Sequence, residues 1–310
     1  MRWCLPSALA LMLFALPGRA RAQDGWYLGM QLGAAAAPGM DVRTGGLDDW
    51  SSSDVSSVRC DMTLNPDRVQ VEPGACSDVP QPWGPLEESF GGGRGILAGM
   101  VLGYRMRSLR VEGEYVYRIA AHDDVAVPHD PATNYDPTRD ASFDVVRDAV
   151  DNVASHSAFA NLYYHFRTGS KAAPYVGMGV GFSRVTVEYR TLWHRTRTIE
   201  NVRIFDPAGE RGEEMNSRLL GANTIDRARL SDSLLGYQAV AGLDYQVGGQ
   251  VTLGFNLRWM GFAEFNGESE YDRLRGHASV AGNPPVPVTY YVRTDDVGFL
   301  AFNLDMKSHF

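Results

Sequence analysis

Apolar residues occupy every second position in eight separate stretches of this chain, a spacing that puts them on one face of an extended strand. The first stretch carries Trp26, Leu28, Met30 and Leu32, and the second Ile96, Ala98, Met100, Leu102 and Tyr104. In the third, Leu109, Val111, Gly113, Tyr115 and Tyr117 alternate with Arg110, Glu112, Glu114, Val116 and Arg118. Ala158, Ala160, Leu162, Tyr164 and Phe166 make the fourth; Val176, Met178, Val180 and Phe182, separated by Gly177, Gly179 and Gly181, make the fifth. The sixth sets Leu235, Tyr237, Ala239, Ala241, Leu243 and Tyr245 against Gln238 and Asp244, and the seventh sets Val251, Leu253, Phe255, Leu257 and Trp259 against Asn256 and Arg258. The eighth runs through Leu300, Phe302, Leu304 and Met306 to Phe310, opposite Asn303, Asp305 and Lys307, with Ser308 interrupting the apolar row.

Short and long connections alternate between these stretches. The links around Arg107 and Ser108, at "RTGSKA" and at "VGGQ" are expected to be tight turns, the last two with glycine available where positive φ is needed. The others, at about 36–92, 120–152, 191–231 and 265–293, far exceed ordinary loop length. No apolar run after Ala22 approaches the roughly 20 residues of a membrane helix. A mean hydropathy of −0.23 suits either a soluble protein or a membrane barrel of half-apolar strands. The alternation and the loop asymmetry decide between them. They predict an all-β fold over residues 23–310: an eight-stranded antiparallel transmembrane β-barrel with short periplasmic turns and long extracellular loops. Aromatics gather at two heights, as membrane interfaces favour. Trp26, Tyr104, Tyr164 and Tyr245 lie at the short-turn ends; Tyr115, Tyr117 and Trp259 lie at the long-loop ends. A barrel in lipid leaves no edge open, so the eighth strand is expected to pair with the first and set Phe310 beside Trp26.

"PYVGMGVGFS" in the fifth strand, the closing "GFLAFNLDMKSHF" and the eight-strand layout resemble the small outer-membrane barrels of Gram-negative bacteria. These are the OmpA-like and opacity-type porin-family proteins, including the alphaproteobacterial major surface antigens. The resemblance spans the mature chain. It implies residence in the bacterial outer membrane, among outer-membrane lipid and lipopolysaccharide. It also implies that Phe302, Leu304, Met306 and Phe310 form a signal read by the barrel-assembly machinery. A peptidoglycan-binding domain is not expected, because the sequence stops at the barrel.

The N-terminus agrees with export. A basic start, the run "LPSALALMLFALPG" and small residues Ala20 and Ala22 read as a signal peptide over 1–22. Without it the chain keeps 26 basic and 37 acidic residues, a formal charge of about −11, which argues against a nucleic-acid partner. Cys4 leaves with the signal. Cys60 and Cys76 remain as an even pair in an exported chain and are expected to form a disulfide.

Alternation turns Gln31, Arg110, Glu112, Glu114, Arg118, Asn161, His165, Gln238, Asp244, Asn256, Arg258, Asn303, Asp305 and Lys307 inward. Eight strands leave an interior that side chains fill, so these groups are read as a self-satisfied polar network. The competing reading is a narrow solute or ion pore gated by Arg110 or Arg258. A lipid A-modifying enzyme is the further alternative. "SHS" at 155–157 gives no relay, because neighbours on a strand face opposite ways. The loop "AHDDVAVPHDP" matches no metal-loop spacing, and "GGGRG" precedes a strand rather than the helix a phosphate cradle needs. No enzyme activity, cofactor or metal is expected. Beyond Phe182 the apolar phase passes to Val185, Val187 and Tyr189, which predicts a bulge near Arg184. The expected role is structural or interactive: a monomer meeting host or extracellular ligands through its loops.

Overall fold

A computed structural model of the chain describes residues 24–48, 81–129, 131, 136–168, 170–202, 212–272, 287–295 and 297–310. Residues 1–22, read above as a signal peptide, and both Cys60 and Cys76 lie outside the described residues. In chain order the strands are β1 (Gly25–Ala36), β2 (Met40–Asp48), β3 (Gln81–Phe90), β4 (Arg94–Met106), β5 (Leu109–Ala126), β6 (Phe143–His165), β7 (Ala172–Arg195), β8 (Asn223–Gln246), β9 (Val251–Phe262), β10 (Phe265–Asp272), β11 (Pro287–Thr294) and β12 (Gly298–His309). A short helix, α1 (Gly212–Arg218), precedes β8 and buries Met215.

Eight of these strands close an antiparallel barrel in the order β1-β12-β9-β8-β7-β6-β5-β4. The seam is the pairing of β1 with β12, in which Met30 faces Met306 and Leu32 faces Leu304. The Phe310 amide donates to the Trp26 carbonyl at 3.0 Å, so the last residue fastens the join.

The long connections are not plain loops. β2, β3, β10 and β11 form a second sheet in the order β10-β11-β2-β3. That order repeats β9-β12-β1-β4 beneath it, and each upper strand is separated from its lower one by only two or three residues, at 37–39, 91–93, 263–264 and 295–297. On the other side β6, β7 and β8 run unbroken for 23, 24 and 24 residues. A membrane strand needs about 9–11, so these three rise about 40 Å further along the strand. The outer strands of the upper sheet meet this wall. The Asn266 amide donates to Asp232 Oδ2 of β8 at 3.0 Å, and Glu87 and His129 exchange backbone hydrogen bonds of 2.7 and 3.0 Å just past β5. The molecule is therefore a barrel of two tiers.

Local chemistry explains the breaks on one side. Pro38 has no N–H to give a ladder. Gly91 to Gly93 offer no side chains to pack, and a Cβ on Gly92 would come within 2.8 Å of the Ala37 carbonyl oxygen. Ladder pairing resumes above both. The segments at about 36–92 and 265–293 thus carry strands where the sequence pattern predicts loops, and much of 120–152 and 191–231 extends the wall.

The tiers are inverted in polarity. On lower β7, Met178 and Phe182 face outward at 70% exposure each, and buried Tyr175 faces in. Higher on the same strand Val185 is 0% exposed and faces in, together with Val187 and Tyr189. No register shift accompanies this change; the irregularities on β6 fall between Phe143 and Val145 and between Val150 and Asn152. The bulge expected near Arg184 is absent. The strand keeps its parity while its outer medium changes from lipid to water, so apolar residues move from the outer to the inner face. The upper interior is an ordinary apolar core in which Met40, Val42, Phe90, Phe265 and Val292 of the sheet join Val150, Val187 and Leu230 of the wall.

The turns differ from expectation in one respect. Gly248 and Gly249 are not at positive φ; in the β4–β5 turn Arg107 takes that conformation itself, at 56°.

Candidate functional site

The lower lumen is filled by two linked clusters. Nearer the periplasm, Asp244 receives Arg110 Nη1 at 2.9 Å and Lys307 Nζ at 2.8 Å, and Lys307 also pairs with Asp305. The Arg110 guanidinium stacks 3.9 Å from the centre of the Tyr163 ring and 4.5 Å from that of Tyr175. Glu112 accepts from Tyr27 and, at 3.2 Å, from Tyr163. At mid-height Glu114 is bound by Arg258 and accepts from Gln31, from Asn161 at 2.8 Å and from Gln238 at 2.8 Å. Asn303 donates to Asn256 at 2.8 Å, and Asn256 to Asp305 at 3.2 Å. Opposite charges at this spacing in a dry interior offset the cost of burial only when their other polar atoms are also bonded. Glu114, with three donors besides its ion pair, meets that condition.

Every inward position named from the sequence is buried. Alternation also placed Tyr27 and Tyr163 inward, and only the mixed character of tyrosine hid them from a search for polar groups. The glycines of β7 make room for this packing. A Cβ on Gly177 would overlap the Tyr163 ring, and one on Gly179 would overlap the Asn161 amide.

Where the tiers meet, polarity drops sharply. Arg118 is 1% exposed, donates to Ser155 Oγ at 3.3 Å and lies 4.0 Å over the Phe299 ring, with no carboxylate partner among the described residues. Phe299 stacks on Phe262, 6.2 Å between centroids, and Phe262 packs on Phe159 at 6.4 Å. Phe299 and Phe262 thus form an aromatic layer above Arg258, and Phe159, the register partner of Glu114, joins it to the charged cluster.

The described part of the upper tier holds a buried polar cluster. Glu88, on the inner face of β3 and 2% exposed, meets Asp148 of β6 and Tyr189 of β7. Tyr189 Oη lies 2.8 Å from a Glu88 oxygen and 2.7 Å from an Asp148 oxygen; Thr44 and Thr191 bond the remaining carboxyl oxygens. Burial first, then the neighbouring acid, pushes Glu88 well above the usual carboxylate range, and burial raises Asp148 too. This cluster has no counterpart in the sequence pattern, because its members lie in three segments with no local signature.

The other expected groups fall as follows. Trp26, Tyr104, Tyr115, Tyr164, Tyr245 and Trp259 face outward and exposed, and Tyr117 is half-buried. Phe302, Leu304 and Phe310 point to lipid, with Met306 half-buried in the same row. His156 of the "SHS" stretch faces outward while Ser155 and Ser157 face in. His122 Nδ1 lies 3.1 Å from the Gly91 carbonyl oxygen.

Residues 7–282 match the family described as outer membrane protein beta-barrel domain. No curated protein matches the sequence. Among solved structures, the chain is similar to Neisserial surface protein A, with 12% identity, 92% of this chain and 97% of that one covered, and a TM-score of 0.38. It is similar to OprG from Pseudomonas aeruginosa, with 10% identity, 94% and 99% covered, and a TM-score of 0.42. AlkL, solved in lipid bilayers, gives 14% identity, 100% and 97% covered, and a TM-score of 0.31.

Proposed function

The chain belongs to the outer membrane protein beta-barrel family, and from that membership we propose that it is a non-conducting surface protein that works through its extracellular tier. One observation carries the reading. Buried side chains fill inward positions along the barrel, with ion pairs around Asp244 and Glu114 below and the Phe299 and Phe262 rings above, Phe262 packing on Phe159. A pore needs a continuous wet path, and this stack of side chains opposes one. What the water faces instead is a crown of eight hydrogen-bonded strand segments. It displays the remaining loops to partners outside the cell.

The test is electrical. Purified protein in planar bilayers should stay silent across ±150 mV, a range of roughly six times the thermal voltage either way. Reproducible unitary steps would restore the solute- or ion-channel alternative. For the lipid A-modifying alternative, lipid A mass spectra from cells with and without the protein should coincide. We propose further that Cys60 and Cys76 close a disulfide in the displayed region. Peptide maps run with and without reductant should then differ at these residues, and identical maps would remove the bond.

A further inference from the structure

The outer face of β6, β7 and β8 changes character within one step at the top of the lipid band. Val180 and Phe182 of β7 and Leu235 of β8 are bare and apolar. The next outward row across the three strands is His156, Arg184 and Ser233, which are register partners. His156 is built in: Tyr115 Oη lies 2.7 Å from its Nδ1, and the Tyr117 ring centre is 4.8 Å away. That leaves Nε2 as the imidazole nitrogen for a ligand. Arg184 reaches Ser233 Oγ at 3.5 Å and has no carboxylate partner among the described residues. One row higher, Thr186 and Ser231 bring their hydroxyls to 2.9 Å. Only in the row above that does an acid appear, Glu188, held by Asn152 at 2.9 Å and paired across the ladder with Arg229. Arg190 pairs with Asp151 at 2.8 Å, and Arg227 stands opposite Arg190 in the ladder. In a chain of formal charge −8, this face gathers guanidinium groups and hydroxyls just above an acyl-chain surface.

We propose that this face holds a phosphate-bearing lipid of the outer leaflet, its acyl chains along Val180, Phe182 and Leu235 and its phosphate on Arg184, His156 and Ser233. Guanidinium matches phosphate through paired N–H donors, and the match strengthens at the edge of a low-dielectric layer. Arg229 stands two rows higher, within reach of a second phosphate on a large glycolipid headgroup. A water-borne anionic glycan would have no use for the apolar surface below, so the juxtaposition favours a lipid. The inference rests on the membrane placement of the barrel and is independent of whether the crown binds a partner.

Native mass spectrometry of the purified protein in nonionic detergent tests this directly, using a bis-phosphorylated acyl glycolipid and the same lipid after phosphatase treatment. The phosphorylated form should be retained about tenfold more than the dephosphorylated one. Arg184→Ala combined with Arg229→Ala should abolish that preference, Arg184→Lys should keep part of it, and Arg94→Ala, on the opposite side at the top of β4, should leave it intact. Heat-modifiable migration in electrophoresis verifies that each variant is a folded barrel. Inorganic phosphate at millimolar excess should not displace the lipid. Equal retention of the two lipids by the parent protein, an unchanged preference in the folded double variant, or displacement by inorganic phosphate would each overturn the assignment.

Discussion

Glu88 of the upper sheet and Asp148 of the wall share the hydroxyl of Tyr189, which lies 2.8 Å from an oxygen of one and 2.7 Å from an oxygen of the other. That hydroxyl has one proton to give. Among the described residues, the groups that shift the two acids most are Tyr189, Thr44, Thr191, Trp193 and the acids themselves, whose carboxyls hydrogen-bond each other. The sheet therefore docks with a carboxyl proton retained between the two acids. Both groups titrate above their unfolded values, so the folded tier holds protons that the unfolded tier would lose. The associated stability is complete at acidic pH and declines as pH rises from the ordinary carboxylate range through the raised values. Amide exchange of β2 and β3, corrected for intrinsic rates, should accordingly show weaker protection at pH 8 than at pH 5. Glu88→Gln should raise protection at pH 8 and flatten the dependence. Protection unaffected by pH in the parent protein would refute the shared proton.

A second prediction concerns Glu114 and Arg258. Both are buried at mid-lumen, and each is the other's ion-pair partner. Removing one charge strands the other in a dry interior, which costs about 3–5 kcal/mol. Arg258→Met alone should lower the unfolding free energy in detergent by that order. Adding Glu114→Gln should recover most of the loss, because no uncompensated charge then remains. Urea titration followed by tryptophan fluorescence measures both, and additive losses in the double variant would show that the pair is not coupled.

Which parts of this architecture were legible in the sequence follows from the medium each part meets. The lower tier was readable because lipid demands an apolar outer row and eight strands force a filled inner one: Leu109 and Val111 against Arg110 and Glu112 report both at once. Even the seam between Phe310 and Trp26 follows from the need to leave no open edge. The upper tier hid for the opposite reason. Val185, Val187 and Tyr189 were visible, but the exchange of lipid for water outside them imitates a slipped register. Pro38 and the glycines at 91–93 look like loop signals and are short breaks within continuing strands. Glu88, Asp148 and Tyr189 come together only through the two-tier closure, which no local pattern encodes.

Arg118 leads to a third prediction. It is as buried as Arg258, but its neighbours are Ser155 and the Phe299 ring rather than a carboxylate. A buried cation without a counter-charge opposes folding, and one hydrogen bond and a ring face offset only part of that cost. Arg118→Met fits the same volume beside Phe299 without the charge. It should stabilise the barrel by about 1 kcal/mol or more, in contrast to the loss at Arg258. The same urea titration decides it, and destabilisation on the Arg258 scale would mean that Arg118 carries a bond the geometry does not display.

The β7 glycines give the last prediction, because an open lumen and a filled one would receive an added side chain differently. An open lumen would accept a side chain at Gly179 and narrow. A filled one cannot, because the Asn161 amide already occupies the place of the Cβ and donates to Glu114 at 2.8 Å. Gly179→Val should therefore displace Asn161, loosen the Glu114 cluster and cost about 1–3 kcal/mol by overpacking. Gly249, in the β8–β9 turn, supplies the control, because a Cβ added there would meet nothing within 4 Å. Gly249→Ala should fold with unchanged stability. Equal tolerance at the two positions would mean that the space beside Asn161 is empty, and the case for a silent barrel would lose its footing in the lower tier.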